Sequence, residues 1–174
     1  MLLTGKYHRS LDEKLRVAIP KSLRESLGGD AGRSLFVAPG TDGSLAIYPH
    51  AAFEGLAERL ARSSPTARDV RDFSRLLYSQ AKNSRIDQQG RLRLPRELVE
   101  WAGLTGEVVL LGVQDHLEVW QPAAWEAYAA ERRDRYDQIA EAALGPVLPS
   151  SAGPQQHTAI DQNITSWQQP GVPK

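Results

Sequence analysis

The chain has no cysteine, which excludes disulfides and thiolate metal sites and fits a reducing cytosol. It has no excess of either charge. Its 21 lysines and arginines match 21 acidic residues, which argues against a protein that coats polyanions indiscriminately. Its histidines, at 8, 50, 116 and 157, are scattered without metal-ligand spacing, so no metal is expected. No stretch approaches the roughly 20 apolar residues of a membrane span. The start, Met1-Leu2-Leu3-Thr4-Gly5-Lys6-Tyr7, breaks off too early for the core of a signal peptide. A Gly-x-Ser-x-Gly elbow, a Gly-rich phosphate loop and a clustered acid–base constellation are all missing. No catalytic residue, cofactor or small-molecule substrate is therefore expected.

What is present is an internal repeat. Leu11-Asp12-Glu13-Lys14-Leu15-Arg16-Val17-Ala18-Ile19-Pro20 returns as Ile86-Asp87-Gln88-Gln89-Gly90-Arg91-Leu92-Arg93-Leu94-Pro95. Aspartate, arginine and proline keep their mutual spacing in both copies. The match continues from Gly28 to Gly103, and from Ile47-Tyr48-Pro49 and Phe53 to Val119-Trp120-Gln121 and Trp125. One supersecondary unit has been used twice, so any function it carries is expected to be paired. The length suits one compact domain or two small interlocked ones.

Each copy reads as strand, turn, strand, short helix, hairpin and trailing helix. Val17 and Ile19 alternate with Arg16 and Ala18, and Leu92 and Leu94 with Arg91 and Arg93. Period two puts the aliphatics on one face and the arginines on the other. Pro20 and Pro95 fit the first helical position, and Gly28 and Gly103 fit helix stops. Leu23 and Leu27, then Leu98, Val99 and Ala102, supply the apolar stripes. Ser34–Ala38 with Ser44–Tyr48, and Glu107–Val113 with Leu117–Trp120, read as hairpins. Phe53, Leu56 and Leu60 predict one trailing helix. Val70, Phe73 and Leu77, behind a Ser63-Ser64-Pro65 cap, predict another. The second trailing helix carries Trp125, Tyr128 and Ile139. Trp101, Trp120, Trp125, Phe53 and Tyr48 are expected to face inward. From Gly145 to Lys174 periodicity stops, and a disordered tail is expected, with Trp167 as a potential contact.

The chemistry sits at the two turns. An aspartate before a turn can accept the turn's own N–H groups. A glycine at the fourth position permits positive φ, and the following arginine would project from a rigid hairpin tip. Lys82, Arg85, Arg91, Arg93 and Arg96 face only Asp87 across residues 82–96. Local basicity on a neutral chain is expected where one face meets phosphate, although a solvated charged face looks the same in sequence.

Two Asp-x-x-x-Arg units, each followed by hydrophobic-x-hydrophobic-Pro, resemble the MraZ proteins of bacteria, within the wider AbrB-like, swapped-hairpin superfamily. The resemblance runs from about Met1 to Tyr128. It implies an α+β fold: two tandem AbrB-like β-hairpin/helix repeats in a pseudo-symmetric swapped-hairpin (double-psi-like) β-barrel with peripheral helices. The boundaries would be a first repeat over 1–55, linking helices over 56–79, a second repeat with its trailing helix over 80–144, and the tail over 145–174. The resemblance further implies a cytoplasmic, nucleoid-associated homo-oligomer, ring-like, that binds double-stranded DNA at short direct repeats. Its target would be the promoter of the division and cell-wall gene cluster. Lys14, Arg16, Arg91, Arg93, Arg9 and Arg85 are the expected DNA-binding residues, and Asp12, Leu15, Asp87 and Gly90 form the turns.

One position departs from the pattern. Leu15 stands where the first unit should have glycine, so it either carries left-handed strain of about 1–2 kcal/mol or forces another turn shape. Exposed at a hairpin tip, it would meet a thymine methyl or a neighbouring subunit. Two rivals remain: a hydrolase on a related barrel, and an antitoxin-like or scaffold oligomer with weakened DNA binding. Steep salt dependence of binding separates DNA from the latter.

Overall fold

The computed structural model describes residues 2–28, 34–63 and 67–145. The first copy runs β1 (Lys6–Ser10), β2 (Arg16–Ala18), α1 (Lys21–Ser26), β3 (Ser34–Pro39), β4 (Leu45–Pro49) and α2 (His50–Arg62), followed by α3 (Arg68–Gln80). The second runs β5 (Lys82–Arg85), β6 (Arg91–Arg93), α4 (Arg96–Trp101), β7 (Glu107–Val113), β8 (His116–Trp120) and α5 (Pro122–Arg133). These lie in one compact unit, Met1–Arg135. A second unit begins at Tyr136 and contains α6 (Tyr136–Leu144). The second trailing helix is therefore two: α5 closes at Asp134, where Arg135 N–H bonds the Arg132 carbonyl at 3.1 Å. Of the expected tail only Gly145 is among the described residues; of the expected Ser63-Ser64-Pro65 cap only Ser63 is, and it closes α2.

The two copies are interlocked rather than side by side. The six-stranded sheet has the order β1-β7-β8-β4-β3-β5, with antiparallel neighbours throughout. Thus β1 of the first copy pairs with β7 of the second, and β5 of the second with β3 of the first. Tyr7 lies opposite Leu110, and Lys82 opposite Val37. A pseudo-two-fold passes between β4 and β8. The remaining strands form a separate antiparallel ribbon, β2–β6, with Val17 opposite Leu92.

The expected barrel is not closed by hydrogen bonding. Among the described residues no ladder joins β1 to β5. The Asp12 and Asp87 turns fold the ribbon strands back, but only single bridges, Leu11 with Val17 and Ile86 with Leu92, tie them to their own hairpins. Packing closes the interior instead. Val17, Leu35, Ile47, Leu92, Leu110 and Leu117 are fully buried in one cluster with Leu23 and Leu27 of the first copy and Leu98, Val99 and Ala102 of the second. Burying side chains of this size stabilises the fold by about 1.5–3 kcal/mol each, before the opposing chain entropy.

Local details differ from expectation at three places. Pro20 and Pro95 are N-cap residues, one position before α1 and α4. Gly28 and Gly103 do end these helices, at φ 101° and 57°. On α3 only Leu77 of the expected stripe is buried. Phe73 and its neighbour Leu76 are exposed, because α3 packs on β3 through one narrow line. Trp101 is 50% exposed rather than inward, since it is the last residue of a six-residue helix whose buried positions are Leu98 and Val99.

The β7–β8 turn holds a polar cluster. His116 Nδ1 lies 2.7 Å from Asp115 Oδ1, and its Nε2 lies 3.6 Å from Glu118 Oε1. Trp120 Nε1–H donates to Glu118 Oε2 at 2.8 Å, and Tyr48 stacks on the imidazole. Burial pushes the His116 pKa down, but Glu118 and Asp115 together outweigh it, and the net shift is upward. A raised folded value means that His116 stabilises the fold fully below the ordinary value near 6.5, and that this is lost as pH rises through the folded value. Wild type should therefore lose more stability than His116→Gln between about pH 6 and pH 9, measured by urea denaturation. Equal losses would remove His116 from the linkage.

Candidate nucleic-acid interface

The two Asp-x-x-x-Arg turns have the same geometry atom for atom. In the first, Asp12 Oδ1 accepts the Lys14 and Arg16 N–H groups, both at 2.9 Å. Arg16 Nε–H donates to Asp12 Oδ2 at 2.8 Å, and Nη2 lies 2.8 Å from the same oxygen. In the second, Asp87 Oδ1 accepts the Gln89 and Arg91 N–H groups at 2.9 Å, and Arg91 Nε and Nη2 reach Oδ2 at 2.9 Å. The Leu15 N–H bonds the Asp12 carbonyl and the Gly90 N–H bonds the Asp87 carbonyl. Each turn then hands its carbonyl to the other copy: Gly90 C=O accepts from Ile19, and Leu15 C=O from Leu94. The turns are thus held by the interlock as well as by their own aspartates.

Both carboxyls are held below the usual aspartate range. For Asp12 the main cause is the Arg16 guanidinium, and for Asp87 it is the Arg91 backbone N–H. They stay ionised at neutral pH, so the clamp on each arginine persists there.

Arg16 and Arg91 do not project freely, as a hairpin-tip reading expects. They fold back, leaving 26% and 29% of their side chains exposed. The reason is charge: a carboxylate four residues earlier accepts the Nε edge in an oriented ion pair. The Nη1 side of each guanidinium has no partner within the described residues. An arginine steadied in this way is preorganised toward an outside acceptor, with less freedom to lose on binding.

The ribbon brings the arginines together. Arg16 lies opposite Arg93 and Ala18 opposite Arg91, while Val17 and Leu92 point into the core. Arg93 and Lys14 are exposed. Arg9 and Arg85 stand elsewhere, on the edge strands β1 and β5. Arg9 is drawn back onto its own strand, with its guanidinium 5.8 Å above Tyr7 and Nη1 donating to the His8 carbonyl. Arg85 is exposed opposite Ser34.

A paired Asp-clamped turn on an interlocked ribbon can be compared with known families. The MraZ protein family model matches twice, over residues 2–76 and 77–145. The chain belongs to the MraZ family. Among its relatives, a protein of Moorella thermoacetica is 36% identical over 80% of this chain and 95% of its own length. One from Finegoldia magna is 34% identical over the same shares. One from Saccharopolyspora erythraea is 35% identical over 84% of this chain and all of its own. All three bear the name transcriptional regulator MraZ.

Within this MraZ chain the departure at Leu15 is resolved. Leucine keeps the turn shape, at φ 57° against 79° for Gly90. It is half-buried against the core rather than fully exposed at a tip, and it lines the groove beside the first turn. The pseudo-equivalent space is used differently. A Cβ on Gly90 would stand 2.9 Å from Arg24 Cζ, because Arg24 lies across the second turn with Nε bonded to the Ile19 carbonyl. At the repeat position matching Arg24 the second copy has Val99, which is buried. Sequence reading passed over Arg24 because its role appears only when α1 meets the other copy's turn. Lys82 and Arg96 were visible as basic residues, but their meeting with Lys14 was not. All three, with Arg93, line one groove beside the first turn.

Proposed function

We propose that this chain is a DNA-binding transcriptional regulator acting at the promoter of the division and cell-wall gene cluster. It recognises short direct repeats as a ring-like homo-oligomer in the cytoplasm, associated with the nucleoid. The observation that carries the reading is the ribbon face, where Arg16 and Arg91 are steadied by Asp12 and Asp87 and flanked by Arg93 and Lys14. Steadied guanidiniums suit bidentate contact with guanine edges or phosphates in the major groove. The naming of the relatives supports regulation. Exposed Phe73, Leu76 and Trp101 offer apolar surface for subunit contact, and repeated subunits multiply weak contacts through effective concentration.

Fluorescence anisotropy tests this, with the full chain titrated against its own division-cluster promoter and a shuffled duplex over a range of salt. Wild type should prefer the promoter, and Arg91→Ala should weaken binding by about tenfold or more, within the 1–3 kcal/mol of a bidentate contact. Affinity should fall steeply with salt. Equal, salt-insensitive binding to both duplexes would overturn the reading.

A further inference from the structure

We propose that the groove beside the first turn is a phosphate-binding site for duplex DNA, and that its pseudo-symmetric counterpart beside the second turn is not. The proposal rests on the DNA-binding reading and assigns unequal roles to the two turns. The groove is open, about 390 Å³, and draws on both copies: Lys14 from the first turn, Lys82 from β5, and Arg93 and Arg96 from the end of β6 and the start of α4. All four cations are exposed, and none has an ion-pair partner among the described residues. Two carboxylates, Glu13 and Glu97, also line it without pairing to them, so the lining carries a surplus of positive charge. Arg93 lies directly opposite Arg16, whose own charge is already paired with Asp12. Uncompensated convergence of this kind, on a chain of zero net charge, is the local rule-breaking expected at a binding site.

The matching face beside the second turn carries a different set of residues. Ala18 takes the position of Arg93, Gln89 that of Lys14 and Tyr7 that of Lys82. Lys21 takes that of Arg96, and it is 3.7 Å from Glu25. Arg24 lies across Gly90 there. Three of the four cations are gone and Lys21 is paired, although the backbone turns are alike. Gln88 and Ser22 replace the carboxylates Glu13 and Glu97, and Arg9 and Arg24 also stand on that side, but both are half-buried and drawn onto the His8 and Ile19 carbonyls. Exposed cations without an ion-pair partner are thus the feature of one side and not a requirement of the interlock. One turn is anchored to phosphate, which gives each pseudo-symmetric subunit a polarity along the duplex.

The test uses the full chain with promoter and shuffled duplexes in anisotropy titrations over a salt series. Lys82→Gln with Arg93→Gln should weaken both duplexes alike, by about tenfold, and reduce the slope of log K against log[salt] by about two per bound subunit. The mirror variant, Lys21→Gln, should change neither. Thermal melting confirms that the variants fold, since all substituted side chains are exposed. If wild type binds but the double variant keeps its affinity and slope, the groove proposal is overturned and the DNA reading stands. Absence of any duplex binding by wild type would overturn both. Calorimetric titration with inorganic phosphate supplies the last arm. Binding of free phosphate in the groove, with duplex affinity unchanged in the double variant, would assign the site to a free anion and overturn the proposal.

Discussion

Gly90→Leu should destabilise the protein by about 2 kcal/mol or more, whereas Leu15→Gly should change its stability by no more than about 1 kcal/mol. The two residues hold the same place in twin turns, both in the left-handed region at φ 79° and 57°. At Gly90 a side chain meets two penalties. Left-handed backbone costs an L-residue about 1–2 kcal/mol, and its first carbon would fall 2.9 Å from Arg24 Cζ and 3.0 Å from Nε. Arg24 would have to leave the Ile19 carbonyl it bonds at 3.1 Å. At Leu15 the effects oppose. Glycine relieves the strain but removes half-buried contact with the core and adds about 0.5–1 kcal/mol of lost backbone freedom. Urea denaturation of the two variants reads the difference. Equal losses would mean that the two sides of the interlock are energetically equivalent, contrary to the Arg24 and Val99 exchange.

Gly112→Ala is expected to be of similar or greater effect, near 3 kcal/mol. The N-terminal segment crosses β7 directly at this residue. A Cβ there would lie 2.7 Å from the Leu3 carbonyl carbon and the Thr4 Cα, and closer still to the Thr4 nitrogen. These are backbone atoms, which cannot swing aside as a side chain can. Three hydrogen bonds pin the crossing: Gly112 N–H to Gly5 C=O at 2.9 Å, Gln114 N–H to Leu3 C=O at 3.0 Å, and Leu3 N–H to Gln114 C=O at 2.8 Å. Displacing the segment also exposes Leu3, which is fully buried. Amide exchange should show Leu3 and Gly112 losing protection together in the variant. Wild-type protection and stability would show that the segment accommodates a methyl group, against the geometry described. Because β1 follows immediately and leads into the Asp12 turn, this glycine sets where the first turn begins.

The repeat was legible in the residues because its signals are local. Period-two alternation put Val17 and Leu92 inward and Arg16, Arg91 and Arg93 outward. The Asp-x-x-x-Arg spacing predicted an Asx-type turn, since side-chain acceptance of nearby N–H groups depends on a few consecutive residues. Gly28 and Gly103 marked the helix ends by the same logic. What an arginine does after its turn was less legible. Asp12 and Asp87 compete with solvent and ligand for Arg16 and Arg91, and the ion pair wins in the unbound chain.

Sequence by itself thus determined the paired units, the inward faces of the strands and the family to which they belong. Only the tertiary structure decided which copy's strand pairs with which hairpin, since β1 with β7 and β5 with β3 are contacts between distant segments. That exchange is what lays Arg24 over Gly90, seats Leu15 against the core, and brings Lys14 to Lys82, Arg93 and Arg96. Spacing along a chain records neighbours within a few residues, whereas these contacts form only when two copies of one motif close around a shared core.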